Sequence, residues 1–245
     1  ATPYNIMGTL LNGGRMSVYK DLVRVFDVCA AVGPTSLGMV PQMFAVLYKT
    51  YQSRINKGDS EEALKREYRY RRLGWRVGAL NCGGATPMPR VQQWLKHVFE
   101  DGFCQVTENY ASTEAGPITS SWGDHTSSTN GVVSDGVDVK LVDWGEYRTS
   151  DTPNPRGEIC VKSACMTSGY LNRPDLTKTA FDEDGYYRTG DIGELVDKGP
   201  PKRIKVVDRC KNMFKLVNGE WVSPENVEAE LMAKCSLLRQ IMVFG

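Results

Sequence analysis

The chain has 245 residues, 41% of them hydrophobic and 24% charged, with a formal net charge of +1. That is the composition of an ordinary globular protein of one large domain, or one domain plus part of another, with no global pull toward nucleic acid or an acidic membrane surface. Seven cysteines without a C-x-x-C, and only His97 and His125, argue against a disulfide framework, a zinc site, a histidine-rich metal centre and Ser-His-Asp hydrolysis, and favour a reducing, cytoplasmic compartment.

The opening "ATPYNIMGTLLNGG" has no basic n-region and does not read as a signal peptide, and no apolar run reaches membrane-span length. It lacks an initiator Met and opens mid-pattern, so the chain reads as a piece of something longer. "AVGPTSLGMVPQMFAVLYKTYQ" predicts a loop, a short apolar strand over 36–40, then a helix with Pro41 near its first turn. In "GDSEEALKREYRYRR", Asp59 and Glu62 have capping-box spacing. The helix after them carries Lys65, Arg66, Arg69, Arg71 and Arg72, either a solvated basic face or a phosphate- or partner-binding patch.

"WRVGALNCGGATPMP" reads as a buried strand ending at Gly83-Gly84, with a helix from about Met88. With the strand-like "FCQV" at 103–106, this is a βαβ pattern that predicts parallel pairing. The two glycines either make a tight turn or let bare backbone approach a ligand. From Gly131 the texture changes. "DVKLVD", "RGEICVKS", "IGELV" and "RIKVVD" are short alternating segments split by Gly, Pro and Asp, and predict antiparallel β structure. "RPDLTKTAF" is a short helix between them. "MFKLVNGEWVS" predicts a hairpin turning at Asn218-Gly219. "PENVEAELMAK" predicts a helix with Ser223 as N-cap and Pro224 at its first position, and "RQIMVFG" a closing strand. The fold class is α/β.

Two polar clusters interrupt these elements. "NYASTEAG" (109–116) follows "FCQV", and neither strand nor helix periodicity accounts for it. The carboxyl end of a strand is where open α/β sheets tend to hold ligands. Tyr110 offers a flat apolar face, Ser112 and Thr113 offer hydroxyls, and Glu114 is a hard oxygen ligand. That set suits a nucleotide with Mg²⁺. In "YYRTGD" (186–191), Asp191 is an acceptor able to grip a ribose diol. Taken singly, each cluster is a weak signal and reads more readily as a turn with a capping acid.

A third cluster makes a resemblance specific. "VDRCKNMFKLVNGEWVSPENVE" resembles the segment joining the large and small domains of adenylate-forming enzymes: acyl-CoA synthetases, luciferases, nonribosomal-peptide adenylation domains and carboxylic acid reductases. "YASTE" is similar to their aromatic-Gly-x-Thr-Glu segment, "RGEICVKSACMTSGY" to their G-E-(strand)-G-Y segment, "YYRTGD" to Y-(K/R)-T-G-D, and "CGGATPMP" to the turn lining their acyl and adenylate pocket. Within the family, the chain looks equally like carboxylic acid reductases and long-chain acyl-CoA synthetases.

The resemblance implies a large adenylating domain over 1–208, a parallel sheet plus a β-rich portion from about 131, and the start of a small mobile α+β domain over 209–245. It implies that Tyr110 stacks on adenine, that Ser112 and Thr113 serve the phosphates, and that Glu114 holds Mg²⁺. Asp191 would bind the ribose hydroxyls, Arg209 would add a nucleotide contact, Lys211 would be the hinge, and Gly83, Gly84 and Ala85 would line the pocket. The implied substrates are ATP, a fatty or aryl carboxylic acid, and a thiol acceptor, either coenzyme A or a carrier phosphopantetheine. Nucleic acid is not an implied partner, and peripheral membrane association would come only through parts outside the chain.

Three departures stand out. Ala111 replaces the segment's glycine, "LLNGG" (10–14) lacks the hydroxyl run and lysine of the phosphate loop, and the small domain's catalytic lysine is missing. The chain therefore reads as the middle of an adenylating enzyme, expected to be inactive in isolation. The competing reading is an adenylation-like module without chemistry, serving as a scaffold. A basic-helix nucleic-acid binder fails on the near-zero net charge.

Overall fold

The computed structural model describes residues 9, 11–17, 24–84, 88–100, 103–122, 129–197, 199, 201–224, 227–228, 230–231, 235 and 241–245. Its architecture is mixed α/β. Strands β1 (Ser36–Met39), β2 (Ala79–Cys82) and β3 (Gln105–Ser112) pair in parallel, and β4 (Gly116–Ser120) and β5 (Val132–Val133) extend the sheet antiparallel, in the order β1-β2-β3-β4-β5. Parallel strands need long crossovers. Here they are α2 (Pro41–Asn56) with α3 (Glu61–Glu67) before β2, and α4 (Pro89–Phe99) before β3. A further helix, α1 (Val25–Val32), precedes β1. Pro41 and Pro89 both sit at the first helical positions, where an N–H would be unpaired anyway. Phe44, Leu47 and Tyr51 of α2 and Val91, Trp94, Leu95 and Val98 of α4 form one core with Leu80, Cys82 and Val106 of the sheet.

The capping box does not form. Ser60 is the N-cap of α3 and makes no side-chain cap bond, while Asp59 accepts from Arg54 Nε at 2.6 Å. A full guanidinium charge attracts the carboxylate more strongly than a neutral N–H. The basic segment also leaves α-helical geometry early, as a π-helical turn over Tyr68–Arg72.

The second half forms a four-stranded antiparallel sheet in the order β6 (Val137–Val142), β7 (Arg156–Ser163), β8 (Tyr187–Leu195) and β9 (Ile204–Arg209). The short helix α5 (Pro174–Ala180) lies between β7 and β8 in sequence. Ile118 of the first sheet and Ala115 of the turn between β3 and β4 pack with Ile159, Val161, Tyr187 and Ile204 from the second, so the two sheets share a core. The hairpin at Asn218-Gly219 forms as β10 (Phe214–Lys215) against β11 (Trp221–Val222), with Gly219 at φ +91°. Val227 N donates to Ser223 O at 3.2 Å, the start of the helix expected there, much of which lies outside the described residues. Residues 241–245 form no strand; Val243 N donates instead to Glu228 Oε1 at 2.7 Å. Among the described residues, no helix is long and apolar enough to cross a membrane.

Glu108 on β3 is buried in this fold, 7% exposed. Its backbone N donates to Ser121 Oγ at 2.6 Å, and the Gln92 amide of α4 donates to its carboxyl. Burial, opposed by Lys96 and by the Gln92 bond, pushes its pKa from 4.5 to about 7. A raised folded-state pKa means the neutral carboxyl is favoured, so its stability contribution is fully present below pH 4.5 and is lost as pH rises through about 7. The shift is equivalent to about 3 kcal/mol. Glu108→Gln is expected to leave Tm nearly unchanged below about pH 5 and to raise it above about pH 7. Thermal melts at both ends of that window check this, and an equal Tm difference at the two pH values would contradict it.

Candidate functional site

The site is built where β3 ends. β3 runs to Ser112, so residues 109–112 are strand after all. Their irregular pattern arises because β4 returns antiparallel against them, with a register shift between Tyr110 and Ala111. The turn over 113–115 is closed by Ala115 N donating to Ser112 Oγ at 2.9 Å, and Gly116 takes φ +73°. The turn is tied to the second sheet by Thr167 N donating to Glu114 O at 2.7 Å and Ser163 Oγ donating to Ala115 O at 3.3 Å.

Two groupings of side chains result. The Tyr110 hydroxyl donates to Asp191 Oδ2 at 2.7 Å, and Arg209 Nε lies 3.1 Å from Asp191 Oδ1. Asp191 and Arg209 face one another in the β8–β9 register. Tyr110 and Asp191 are buried and Arg209 is exposed. Burial pushes Asp191 up, while the Tyr110 bond and the Arg209 charge pull it back toward the ionised form. Burial, and then the Asp191 charge, push the Tyr110 phenol up. The second grouping joins Glu114 to Tyr170, whose hydroxyl donates to Glu114 Oε1 at 2.9 Å. Burial, the Tyr170 hydroxyl and Glu114 push Tyr187 up as well.

The segment around Asp191 is held at each residue. Arg188 Nη2 donates to Glu158 Oε2 at 2.7 Å, and Thr189 Oγ1 donates to Ile159 O at 2.8 Å. Gly190 N donates to Glu158 Oε1 at 3.2 Å, and Asp191 N donates to Thr189 Oγ1 at 3.1 Å. Cys210 N donates to Gly190 O at 2.8 Å, which brings the turn after β9 against Asp191. Lys211 is exposed on that turn, and Thr113 is exposed on the turn after β3. Gly83 and Gly84 follow β2 directly, with Gly84 at φ +88°; Ala85 lies outside the described residues.

The structure therefore joins Tyr110, Asp191 and Arg209, and places Ser112 and Glu114 on the adjoining turn. It shows no bond between Thr113 or Lys211 and the rest of the set. Sequence reasoning missed Tyr170, Thr189 and Glu158, which hold Glu114 and Asp191 in place. Their signal lay inside the segments "RGEICVKSACMTSGY" and "YYRTGD". For Mg²⁺, Glu114 is one hard carboxylate in a half-buried position, and Mg²⁺ typically takes one or two carboxylates plus phosphate oxygens, so the residues present fit it.

The family described as AMP-binding enzyme matches residues 2–171. A carboxylic acid reductase of Segniliparus rugosus is 36% identical over 250 residues, covering 98% of this chain and 20% of the reductase. Long chain acyl-CoA synthetase 6, peroxisomal, of Arabidopsis thaliana is 35% identical over 244 residues, covering 94% of this chain and 34% of the synthetase. The A domain of the Segniliparus rugosus reductase, solved with AMP and a co-purified carboxylic acid, superposes with a TM-score of 0.82 at 34% identity, covering 98% of this chain and 37% of that one. The chain thus spans about a fifth of the reductase and a third of the synthetase. With its α/β architecture and the joined Tyr110, Asp191 and Arg209, the chain belongs to the AMP-binding family of adenylate-forming enzymes.

Proposed function

We propose that this chain carries the nucleotide-binding part of an enzyme that activates a fatty or aryl carboxylic acid with ATP and passes the acyl group to a thiol of coenzyme A or a carrier phosphopantetheine. The observation that carries the reading is the Tyr110–Asp191–Arg209 set beside Glu114, in a chain of this family. In the reaction a carboxylate oxygen attacks the α-phosphorus of ATP, the bond to the bridging oxygen breaks, and pyrophosphate leaves. Two anions must meet, so fixed positive charge and oriented donors dominate. Asp191 accepts from the ribose hydroxyls, Arg209 offers its exposed guanidinium to the nucleotide, and Tyr110 stacks its ring on the adenine while its hydroxyl holds Asp191. Ser112 and Thr113 donate toward the phosphates. Gly83, Gly84 and Ala85 form the wall of the acyl and adenylate pocket.

When bound, Mg²⁺ supplies charge neutralisation at the phosphates, and Glu114 would hold it. Lys211, on the turn after β9, is the point about which residues 209–245, as part of a small mobile domain, swing against 1–208; such motions gate the second half-reaction.

Glu114→Gln tests the reading. It keeps an acceptor for Tyr170 and removes the charge. ATP–pyrophosphate exchange is expected to fall on the order of tenfold or more, with the Mg²⁺ concentration for half-maximal rate raised and Tm preserved. Wild-type exchange with an unchanged Mg²⁺ requirement would sink the assignment of Glu114. No exchange by the wild-type protein with any fatty or aryl acid would favour the scaffold reading.

A further inference from the structure

The long connection from β6 to β7, residues 143–155, takes no part in the bonds described for Asp191 and Glu114, yet it is closely braced. Trp144 and Tyr147 exchange both backbone hydrogen bonds, at 3.0 and 2.8 Å, around Gly145, whose φ of +56° suits the tight turn. Arg148 Nη1 donates to Gly145 O at 2.7 Å. Thr149 N and Oγ1 donate to Asp143 Oδ1 at 2.8 and 2.9 Å. Asp151 Oδ2 accepts from Arg148 N at 3.1 Å and from Arg156 Nε at 2.9 Å. Long connections with little secondary structure are commonly either disordered or functional, and this one is ordered.

What the brace presents is an aromatic face. The rings of Trp144 and Trp221 lie 4.9 Å apart between centroids, tilted by 48°. The Trp221 indole also covers Gly145, where an added Cβ would meet its Nε1 at 3.4 Å and its Cε2 at 3.5 Å. Both tryptophans pack on a small core of Tyr147, Ile192 and Met213, edged by Val207 and Cys210. Trp144, Tyr147, Ile192 and Val207 precede Lys211 in the chain, whereas Met213 and Trp221, on the hairpin β10–β11, follow it. Lys211 itself is exposed on the turn between the two sides. A swing about that turn carries Trp221 away from Trp144, so the contact belongs to one position of the hairpin and is lost in the other.

We propose that Trp144 and Trp221 are positioning residues that latch the hairpin onto the β6–β7 connection, and so set how residues 209–245 divide their time between the two half-reactions. This rests on the adenylating function and the swing proposed above. A contact shifts a two-state equilibrium only by what it gains in one state over the other. An aromatic pair gains enough for about two- to tenfold, which holds a mobile unit without locking it.

Trp144→Ala and Trp221→Ala in the full protein are each expected to change the ratio of thioester formation to ATP–pyrophosphate exchange by about two- to tenfold, with hexanoate or benzoate as the acid and coenzyme A or the carrier domain as the acceptor. The double variant is expected to match the singles, because either change breaks the same contact, and Trp221→Phe is expected to stay near the wild type. A second readout needs no chemistry. Tryptic cleavage after Lys211 is expected to quicken in the alanine variants by about two- to tenfold relative to cleavage after Lys57, exposed at the end of α2. Wild-type ratios in the single variants overturn the latch, whether or not Tm falls. So do single effects that multiply in the double variant. Absence of exchange with every acid overturns the adenylating function, and the cleavage ratio then still decides whether the latch exists.

Discussion

Asp191→Ala is expected to lower adenylate formation by on the order of 10²–10³ and to raise the KM for ATP, because it removes the acceptor on which two other groups converge. The Tyr110 hydroxyl, buried and 2.7 Å from Asp191 Oδ2, would lose its partner, and Arg209 would lose the charge 3.1 Å from its Nε. The exposed Arg209 end of this ion pair contributes little to stability by itself. The loss should therefore appear mainly as function, with a smaller effect on Tm from the stranded phenol. Asp191→Asn separates the two contributions. It keeps an acceptor for Tyr110 and the cross-strand position opposite Arg209, while removing the charge. Its exchange rate is expected to lie between those of the wild type and the alanine variant. Measuring kcat and KM for ATP in both variants decides the matter, and an alanine variant with the wild-type KM for ATP would remove Asp191 from the nucleotide site.

Gly131→Ala is expected to be the most damaging of these changes to the fold. Gly131 has φ +99°, which side-chain-bearing residues rarely adopt, and an added Cβ would lie 2.3 Å from the carbonyl carbon of Ser120. Backbone cannot rotate away as a flexible side chain can. The position also joins the two sheets. Asn130 N donates to Ile204 O at 2.8 Å, Ile204 N donates to Gly131 O at 3.2 Å, and Val206 N donates to Asn130 Oδ1 at 2.7 Å. Thr119 Oγ1 donates to Asn130 O, which ties β4 to the same junction. Strained φ together with a displaced backbone costs about 3 kcal/mol or more. For a chain of this size that corresponds to a fall in Tm of about 6–12 °C. Because the junction sets β3–β4 against β8–β9, the Tyr110–Asp191 bond should be disturbed too, and exchange activity at a permissive temperature is expected to fall with Tm. Calorimetry of the variant checks the first effect. An unchanged Tm would mean that the left-handed turn can be rebuilt around a methyl group.

Much of this molecule is written in local sequence. Pro41 and Pro89 each begin a helix because proline's fixed φ and missing N–H are tolerated only there. Asn218-Gly219 turns a hairpin because its backbone accepts positive φ. Strand, glycines, helix and strand over 79–112 fold as a parallel unit because the short strands need a long crossover. The chemistry of the clusters was legible too, since Tyr, Thr, Glu, Asp and Arg advertise what they can bind. What only the tertiary structure decided is which of them meet. Tyr110 and Asp191 are 81 residues apart and Glu114 and Tyr170 are 56 apart; no local pattern encodes either pairing. They meet because Asn130 and Gly131 pin one sheet to the other. The same competition turned Asp59 from a helix cap into the partner of Arg54, and drew residues 109–112 into a strand once β4 lay alongside. Local preferences are worth a fraction of a kcal/mol to about one kcal/mol each, so a charged partner or a neighbouring strand supplied by the rest of the chain overrules them.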